Sequence, residues 1–357
     1  MNHQPTIVLT GSTGIFGRFL VPELLRYNIK LILLVRGISH EDAKTRVQSI
    51  ISNNENNIEV FCSDLTKKYL GLSESEYKDI ASRTTHILHS AASTRFNLPL
   101  EESRIHNVKT TEEILIFAKQ CKNLIRFGFL STALVAGRRT GIIKEDELEH
   151  NKGFNNSYQQ TKYEAEMLVH AQAKNFPIVI FRAPLVISSD VSVSHKGPPN
   201  FLVVLISLVA KGLLPYVPGT KDSTMDIVSS EDTAHIVIKL MLKDNLSHVT
   251  YHITNGDNVT TTHMLHQMVE RKIGKKIPIE YCGNLQLFLK RVEEESSNKP
   301  EMRAMYKKAE SFLMEPVYPK IFDNSNTLSE LNITKIGEDP SEILKLMFSN
   351  KLWTLSE

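Results

Sequence analysis

Residues 6–9, Thr-Ile-Val-Leu, form a short apolar run rich in β-branched side chains, and they lead directly into Thr10-Gly11-Ser12-Thr13-Gly14-Ile15-Phe16-Gly17. A helical pattern follows, with apolar side chains at Ile15, Phe16, Phe19, Leu20, Leu24 and Leu25. Three glycines at a strand-to-helix turn leave few folds open. They allow a tight turn, a backbone that a pyrophosphate can approach, and close packing of helix on strand. Exposed amides of the first helical turn then face the phosphates. Residues 10–17 are therefore expected to bind a dinucleotide.

The same alternation continues along the chain. Residues 30–35 read as a second strand that delivers Arg36 followed by Gly37. An acid at this place would bind the ribose hydroxyls of NAD, whereas an arginine accommodates the 2′-phosphate of NADP, so NADPH is expected over NADH. Residues 41–51 suggest a helix, 52–57 a polar loop and 58–62 a third strand ending in Ser63-Asp64-Leu65. Here Asp64, with Leu65 beside it, either accepts from an adenine amino group or caps the next segment. Residues 84–89 read as a fourth strand running into Ser90-Ala91-Ala92-Ser93, where small side chains admit either a nearby cofactor or tight packing. A long helical pattern over 98–120 is interrupted near Asn107, a polar residue expected to face the sheet. Residues 124–130 then form a fifth strand, ending in Ser131-Thr132-Ala133.

Strand and helix in alternation demand parallel pairing, right-handed crossovers and helices on both faces of one sheet. The expected fold is α/β, a Rossmann-type doubly wound parallel sheet with a smaller, mostly C-terminal substrate-binding part. Residues 1–187 would be the dinucleotide-binding domain, with 225–255 returning to its sheet. Residues 188–224 and 256–357 would bind and cap the substrate. The glycine turn, Arg36, Asp64, Ala91 and Thr132 all follow strand ends and so converge on one edge.

Asn156-Ser157 opens a helix that carries Tyr158 and, four residues on, Lys162. Residues at that spacing share a helical face. A phenol with an ordinary pKa near 10 is a poor acid or base at neutrality until positive charge favours its ionised form, and Lys162 supplies such charge. Tyr158 would give a proton to a carbonyl oxygen as hydride reaches its carbon, while the Thr132 hydroxyl holds the same oxygen. Competing chemistries are thinner. His263 and His266 lack the acid that would complete a metal site, and His86 and His89 read as structural. No hydrolase nucleophile elbow or P-loop is present.

With 41% apolar and 23% charged residues among 357, the composition is that of a globular protein, and a net charge of +2 offers no general attraction to nucleic acid. Cys62, Cys121 and Cys282 are widely separated, which fits a reducing cytoplasm. The longest apolar run, residues 201–210, is half of the roughly 20 residues a membrane span needs and reads as a buried helix or the wall of a lipophilic pocket.

Residues 6 to about 235 resemble the extended short-chain dehydrogenase/reductase superfamily, and within it the thioester reductase domains and fatty acyl-CoA reductases. The matches are His89-Ser90-Ala91-Ala92-Ser93-Thr94-Arg95-Phe96 with Pro99-Leu100, Leu130-Ser131-Thr132-Ala133, Gly137-Arg138-Arg139-Thr140-Gly141 and Glu145-Asp146-Glu147-Leu148. The resemblance implies catalytic roles for Thr132, Tyr158 and Lys162. It also implies a nicotinamide site lined by Phe181-Arg182-Ala183-Pro184, and a substrate that is an acyl thioester on coenzyme A or a carrier protein's phosphopantetheine arm. Hydride addition would give a hemithioacetal that expels the thiol and leaves an aldehyde, which some members reduce to an alcohol. Ketone or alcohol oxidoreduction, sugar-nucleotide epimerisation and non-catalytic NADP sensing are the alternatives. With no adenylation or carrier region beside it, the chain would take its acyl donor in trans. Residues 285–314 match no motif and are expected to cap the cleft or bind a partner.

Overall fold

The computed structural model describes residues 4–51, 57–187, 208–297, 306, 313–337 and 342. In chain order its first half comprises β1 (Thr6–Thr10), α1 (Gly17–Leu24), β2 (Lys30–Val35), α2 (His40–Gln48), β3 (Ile58–Cys62), α3 (Glu74–Arg83), β4 (His86–His89), α4 (Leu100–Arg104), α5 (Thr110–Gln120) and β5 (Arg126–Thr132). The chain continues with β6 (Gly141–Ile143), α6 (Ser157–His170), β7 (Ile178–Ala183), β8 (Leu185–Ile187), β9 (Tyr216–Val217), β10 (Thr224–Met225), β11 (Ile227–Ser229), α7 (Ser230–Leu242) and β12 (Thr250–His252). It closes with β13 (Thr260–Thr261), α8 (Thr262–Ile273), β14 (Glu280–Tyr281), α9 (Leu285–Ser296), β15 (Lys320–Phe322) and α10 (Ser325–Leu331).

Seven strands form one sheet in the order β12-β7-β5-β4-β1-β2-β3, and every neighbouring pair is parallel. Alternate side chains go to opposite faces, as a two-residue period requires. Ile7, Leu9, Leu31, Leu33 and Phe181 pack with α1 and α7, whereas Val8, Ile32, Leu34, Ile87 and Phe129 pack with α5 and α6. Burial on both faces explains why these strands read as continuous apolar runs. Strand order reverses between β1 and β4, and a crevice opens at that point beyond the strands' carboxyl ends.

Three local features bear on the site. First, α1 starts at Gly17, later than the apolar periodicity suggests, so residues 12–16 stay in the turn, where the Gly14 amide donates to the Gly11 carbonyl at 3.0 Å. Second, the long pattern over 98–120 is realised as α4, a π-helical turn over Ile105–Lys109 and α5, with Asn107 in the wide turn. Third, within 225–255 the short strand β11 pairs with β8 outside the main sheet, α7 packs on the sheet, and β12 forms its edge.

A second apolar core, built on Leu214, Met225, Leu265, Val269 and Phe288, lies in the C-terminal part. Of the 201–210 run only residues 208–210 are described, and they are helical; residues 201–207 lie outside the described residues. So do residues 52–56 of the polar loop, and 298–305 and 307–312 of the motif-free stretch that begins with α9. Among the described residues no helix is long and apolar enough to cross a membrane.

Candidate active site

The glycine turn sits at the β1/β4 crevice, and its geometry leaves no room for side chains. Gly11 has φ +76°, and a Cβ there would lie 2.7 Å from the Ala91 amide nitrogen. A Cβ on Gly17 would lie 2.1 Å from the Gly11 carbonyl oxygen, so α1 can pack on the turn only through glycine. Gly14 and Ile15 are exposed at the rim, with Thr13 and Phe16 half-buried beside them. Buried Ser12 has an Oγ with no hydrogen-bond partner. A backbone cradle and an orphaned hydroxyl are the donor set that a pyrophosphate requires, so these residues fit a dinucleotide.

Exposed Arg36 follows β2 at the rim of the same crevice. The structure adds a second guanidinium that periodicity did not single out. Arg46 of α2 donates Nη1 to the Arg36 carbonyl at 2.5 Å and Nη2 to Thr13 Oγ1 at 3.1 Å, bridging the β2 end to the glycine turn. Past β3, the Asp64 carboxylate accepts the amide and hydroxyl of Thr66 at 3.1 and 2.7 Å and lies 3.5 Å from Lys67 Nζ. That is the capping arrangement of the two roles open to Asp64 in the sequence. Leu65 is half-buried beside it and packs on the core below β3.

On the other wall, Thr10 is fully buried and holds the loop after β4. Its Oγ1 accepts the amides of Ser90 and Ala91, both at 3.2 Å, and lies 2.7 Å from His89 Nδ1. Burial, with the Lys162 charge nearby, holds the His89 imidazole down at about 3. It is a neutral structural linker between Thr10 and Thr111. Beyond it Ala92 is exposed, and Ala91 and Ser93 are half-buried. Asn107 does not turn to the sheet as expected. The π-helical turn aims it at the loop, where Oδ1 accepts the Ser93 amide at 2.7 Å and Nδ2 donates to the Ser93 carbonyl at 3.2 Å and to Thr161 Oγ1 at 2.9 Å. One buried amide thereby ties the Ser93 loop to α6.

The Asn156 side chain caps α6 by accepting the Gln159 amide at 2.9 Å, which fixes the first turn and with it Tyr158. The Thr132 side chain at the end of β5 lies beside the Tyr158 phenol. Thr132 Oγ1 donates to the Ala183 carbonyl at 3.0 Å and accepts the Leu134 amide at 3.2 Å. Phe96 packs edge-on against the Tyr158 ring at 4.9 Å, and Pro184 is buried directly after β7. Lys162, 3% exposed, donates Nζ to the Leu130 carbonyl at 2.8 Å and lies 4.0 Å from the Phe129 ring centre.

The protonation states differ from the sequence expectation. Burial pushes the Tyr158 phenol up to about 12, and the Thr132 hydrogen bond only tempers it. Burial also brings the Lys162 ammonium down to about 7, with Glu166 opposing that fall. Desolvation is the largest effect on both groups. The phenol is held in its acid form.

Beneath these residues lies a charged cluster that local sequence patterns cannot show. Glu166, fully buried on α6, accepts Ser131 Oγ and takes Nε and Nη2 of Arg182 at 2.9 and 2.6 Å. Arg182, 1% exposed, also donates Nη1 to the carbonyls of Glu145 and Glu147. Its guanidinium is spent inside the protein. Buried Glu145 in turn accepts the amides of His252 and Asn326, anchoring α10. Among the described residues no group of three or more His, Cys, Asp or Glu is arranged to hold a metal; His266 instead pairs with the Ile277 carbonyl at 2.9 Å.

A reversal-point crevice lined by a glycine turn, with a Thr, Tyr and Lys at its far wall, invites comparison with known proteins. The model of the NAD-binding male sterility protein family matches residues 9–237. The chain belongs to that family. It is an extended short-chain dehydrogenase/reductase of the thioester reductase and fatty acyl-CoA reductase branch. Among its relatives, fatty acyl-CoA reductase wat of Drosophila melanogaster is 29% identical over 222 residues, 51% of this chain and 43% of the fly protein. Fatty acyl-CoA reductase 2 of Homo sapiens is 24% identical over 325 residues, covering 77% of this chain and 62% of the human protein. This family member thus spans less than two thirds of those curated relatives. Its fold is shared with the terminal R domain from the myxalamid PKS-NRPS biosynthetic pathway, with a TM-score of 0.81 over 99% of this chain and 92% of that one, at 23% identity.

Proposed function

We propose that the protein is an NADPH-dependent reductase of an acyl thioester carried on coenzyme A or on a phosphopantetheine arm, giving an aldehyde. The observation that carries this reading is a half-buried Tyr158, held in its acid form beside Thr132, with Lys162 one turn on along the same helix. Residues 10–17 with Ala91, Ala92 and Ser93 would hold the pyrophosphate and nicotinamide halves, and Arg36 with Arg46 the 2′-phosphate. Two guanidiniums at one rim suit a phosphate dianion. When bound, the reduced nicotinamide supplies a hydride to the acyl carbon.

The chain's own residues do the rest. Tyr158 holds the proton that the carbonyl oxygen needs as negative charge gathers on it. Thr132, beside the phenol, donates to the same oxygen once its hydroxyl rotates away from Ala183. Lys162, fixed by the Leu130 carbonyl, places positive charge where it stabilises the phenolate left behind. As the C–S bond breaks, the Tyr158 phenolate takes back the hydroxyl proton, the carbonyl re-forms, and the leaving thiolate takes a proton from water. Three separated free thiols suit a reducing compartment.

The test is NADPH oxidation by the purified protein with coenzyme A and pantetheine thioesters, measured together with released thiol and trapped aldehyde. One thiol per NADPH at the first step is expected. Reduction of ketones or free aldehydes with inert thioesters would overturn the thioester assignment, and cofactor binding without any turnover would favour a sensing module.

A further inference from the structure

Tyr158 sits between two anchored neighbours. Before it, Ser157 donates Oγ to the Leu98 carbonyl at 2.8 Å, inside the nucleotide-binding part. After it, fully buried Gln159 donates Nε2 to Oε1 of Glu315, 156 residues further along the chain. The same Oε1 accepts Nδ2 of Asn155 at 2.8 Å, and Gln159 Oε1 accepts the Asn155 amide at 3.0 Å. One carboxylate oxygen thus gathers the side chains on either side of the turn that carries Tyr158.

Glu315 comes from the C-terminal part. It opens a single 3₁₀ turn, Glu315–Val317, flanked by Met314; Met314 and Val317 pack in the second core, and the Pro316 carbonyl accepts Ser223 Oγ at 2.6 Å. Its other oxygen, Oε2, lies 3.2 Å from Nζ of Lys320, which is 5% exposed and also donates to the Gly137 carbonyl at 2.9 Å. Arg138, the next residue, donates Nε to Asn155 Oδ1 at 3.2 Å. A carboxylate suits this place because its two oxygens take two side-chain amides and an ammonium together, in charge-assisted bonds stronger than neutral ones. None of these partners lies in the glycine turn or in residues 91–93.

We propose that Glu315 is a positioning residue: through Gln159 and Asn155 it sets the first turn of α6, and with it the Tyr158 hydroxyl, so that the C-terminal part takes part in the chemical step. The proposal rests on the reading that Tyr158 delivers the proton. Proton delivery needs the phenol within hydrogen-bond reach of the carbonyl oxygen, and a misplacement of about 1 Å costs about 100-fold in rate.

Two measurements test it. The first is single-turnover NADPH oxidation with decanoyl-CoA, saturated with cofactor and normalised to NADPH-binding sites. Glu315→Leu and Gln159→Met should each slow it by about 10- to 100-fold while leaving the NADPH Kd within about two-fold of wild type. The double variant should be no more than about two-fold slower than the slower single one, because both changes break one link. Glu315→Gln keeps Oε1 as an acceptor and should recover most of the loss. A role confined to stability would lower Tm and leave the rate per site alone. Rates within about two-fold of wild type, losses that multiply in the double variant, or a Glu315→Gln as slow as Glu315→Leu would overturn the proposal.

The second measurement needs no turnover. In protein labelled with carbon-13 at tyrosine Cζ, the Tyr158 resonance, identified by its absence from Tyr158→Phe, should shift or broaden in Glu315→Leu and in Gln159→Met. An unmoved resonance would overturn the proposal. If no thioester is turned over, or Tyr158→Phe reacts as fast as wild type, the reaction reading falls and the resonance alone judges the clasp: displacement supports it and constancy overturns it. Should Glu315→Leu fail to fold, Gln159→Met carries both measurements with the same expected and overturning results.

Discussion

Glu166→Gln probes whether the ion pair under the active site holds it together. Glu166 is completely buried and Arg182 is 1% exposed, with Oε1 receiving Nε at 2.9 Å and Nη2 at 2.6 Å. Burial alone would raise the carboxyl. The Arg182 guanidinium, with His170 and Ser131, outweighs burial and holds it at about 2 against an ordinary 4.5. That drop corresponds to about 3 kcal/mol. Removing one partner of a buried pair costs about 3–5 kcal/mol, because the other charge stays buried without compensation. Folded domains have about 5–15 kcal/mol in total, so the substitution removes a large part of the margin.

The sign of the shift sets the pH window. A depressed carboxylate pKa stabilises the fold fully above pH 4.5, and the stabilisation is lost as pH falls toward 2. Chemical denaturation at neutral pH should therefore show Glu166→Gln less stable by about 3–5 kcal/mol. The variant should also lack about 3 kcal/mol of the wild-type loss on acidification. A deficit below about 1 kcal/mol with an unchanged acid profile would refute the reasoning. It would mean that the Glu145 and Glu147 carbonyls satisfy Arg182 without the carboxylate.

Three further outcomes are expected. Arg46→Ala and Arg36→Ala should each raise the Kd for NADPH about ten-fold or more while changing that for NADH little, and equal effects on both cofactors would remove the 2′-phosphate assignment. Gly17→Ala places a methyl 2.1 Å from the Gly11 carbonyl. It should abolish cofactor binding by calorimetry, and wild-type affinity would show that the turn is not the cradle. With the Lys162 ammonium at about 7, thioester kcat/KM should fall as pH rises through that value; a flat profile between pH 6 and 9 would exclude the ammonium from the rate-determining state.

The nucleotide half of the protein was readable because its signals are local. Two strands, β2 and β3, begin and end where the apolar runs do, and the glycine turn falls between β1 and α1. Tyr158 and Lys162 share a face of α6 by helical spacing alone. What stayed hidden depends on contacts between distant residues. Arg46 is an ordinary helix arginine until α2 folds back onto Thr13, 33 residues away. Asn107 reads as a break in a helix, and only the π-helical turn reveals that it clamps Ser93 and Thr161. β6 and β15 are three-residue strands that pair across 179 residues of sequence, too short to carry a periodicity. The shift of Tyr158 away from ionisation came from burial, which spacing does not encode.

The central claim is that Tyr158 delivers the proton in reduction of an acyl thioester. Its most direct test is the single-turnover rate of NADPH oxidation with decanoyl-CoA in the wild-type protein and in Tyr158→Phe, both saturated with cofactor. The phenylalanine keeps the ring against Phe96 and removes only the hydroxyl. A loss of about 100- to 10,000-fold in rate with NADPH affinity unchanged is predicted. A Tyr158→Phe rate within a few-fold of wild type would contradict the account.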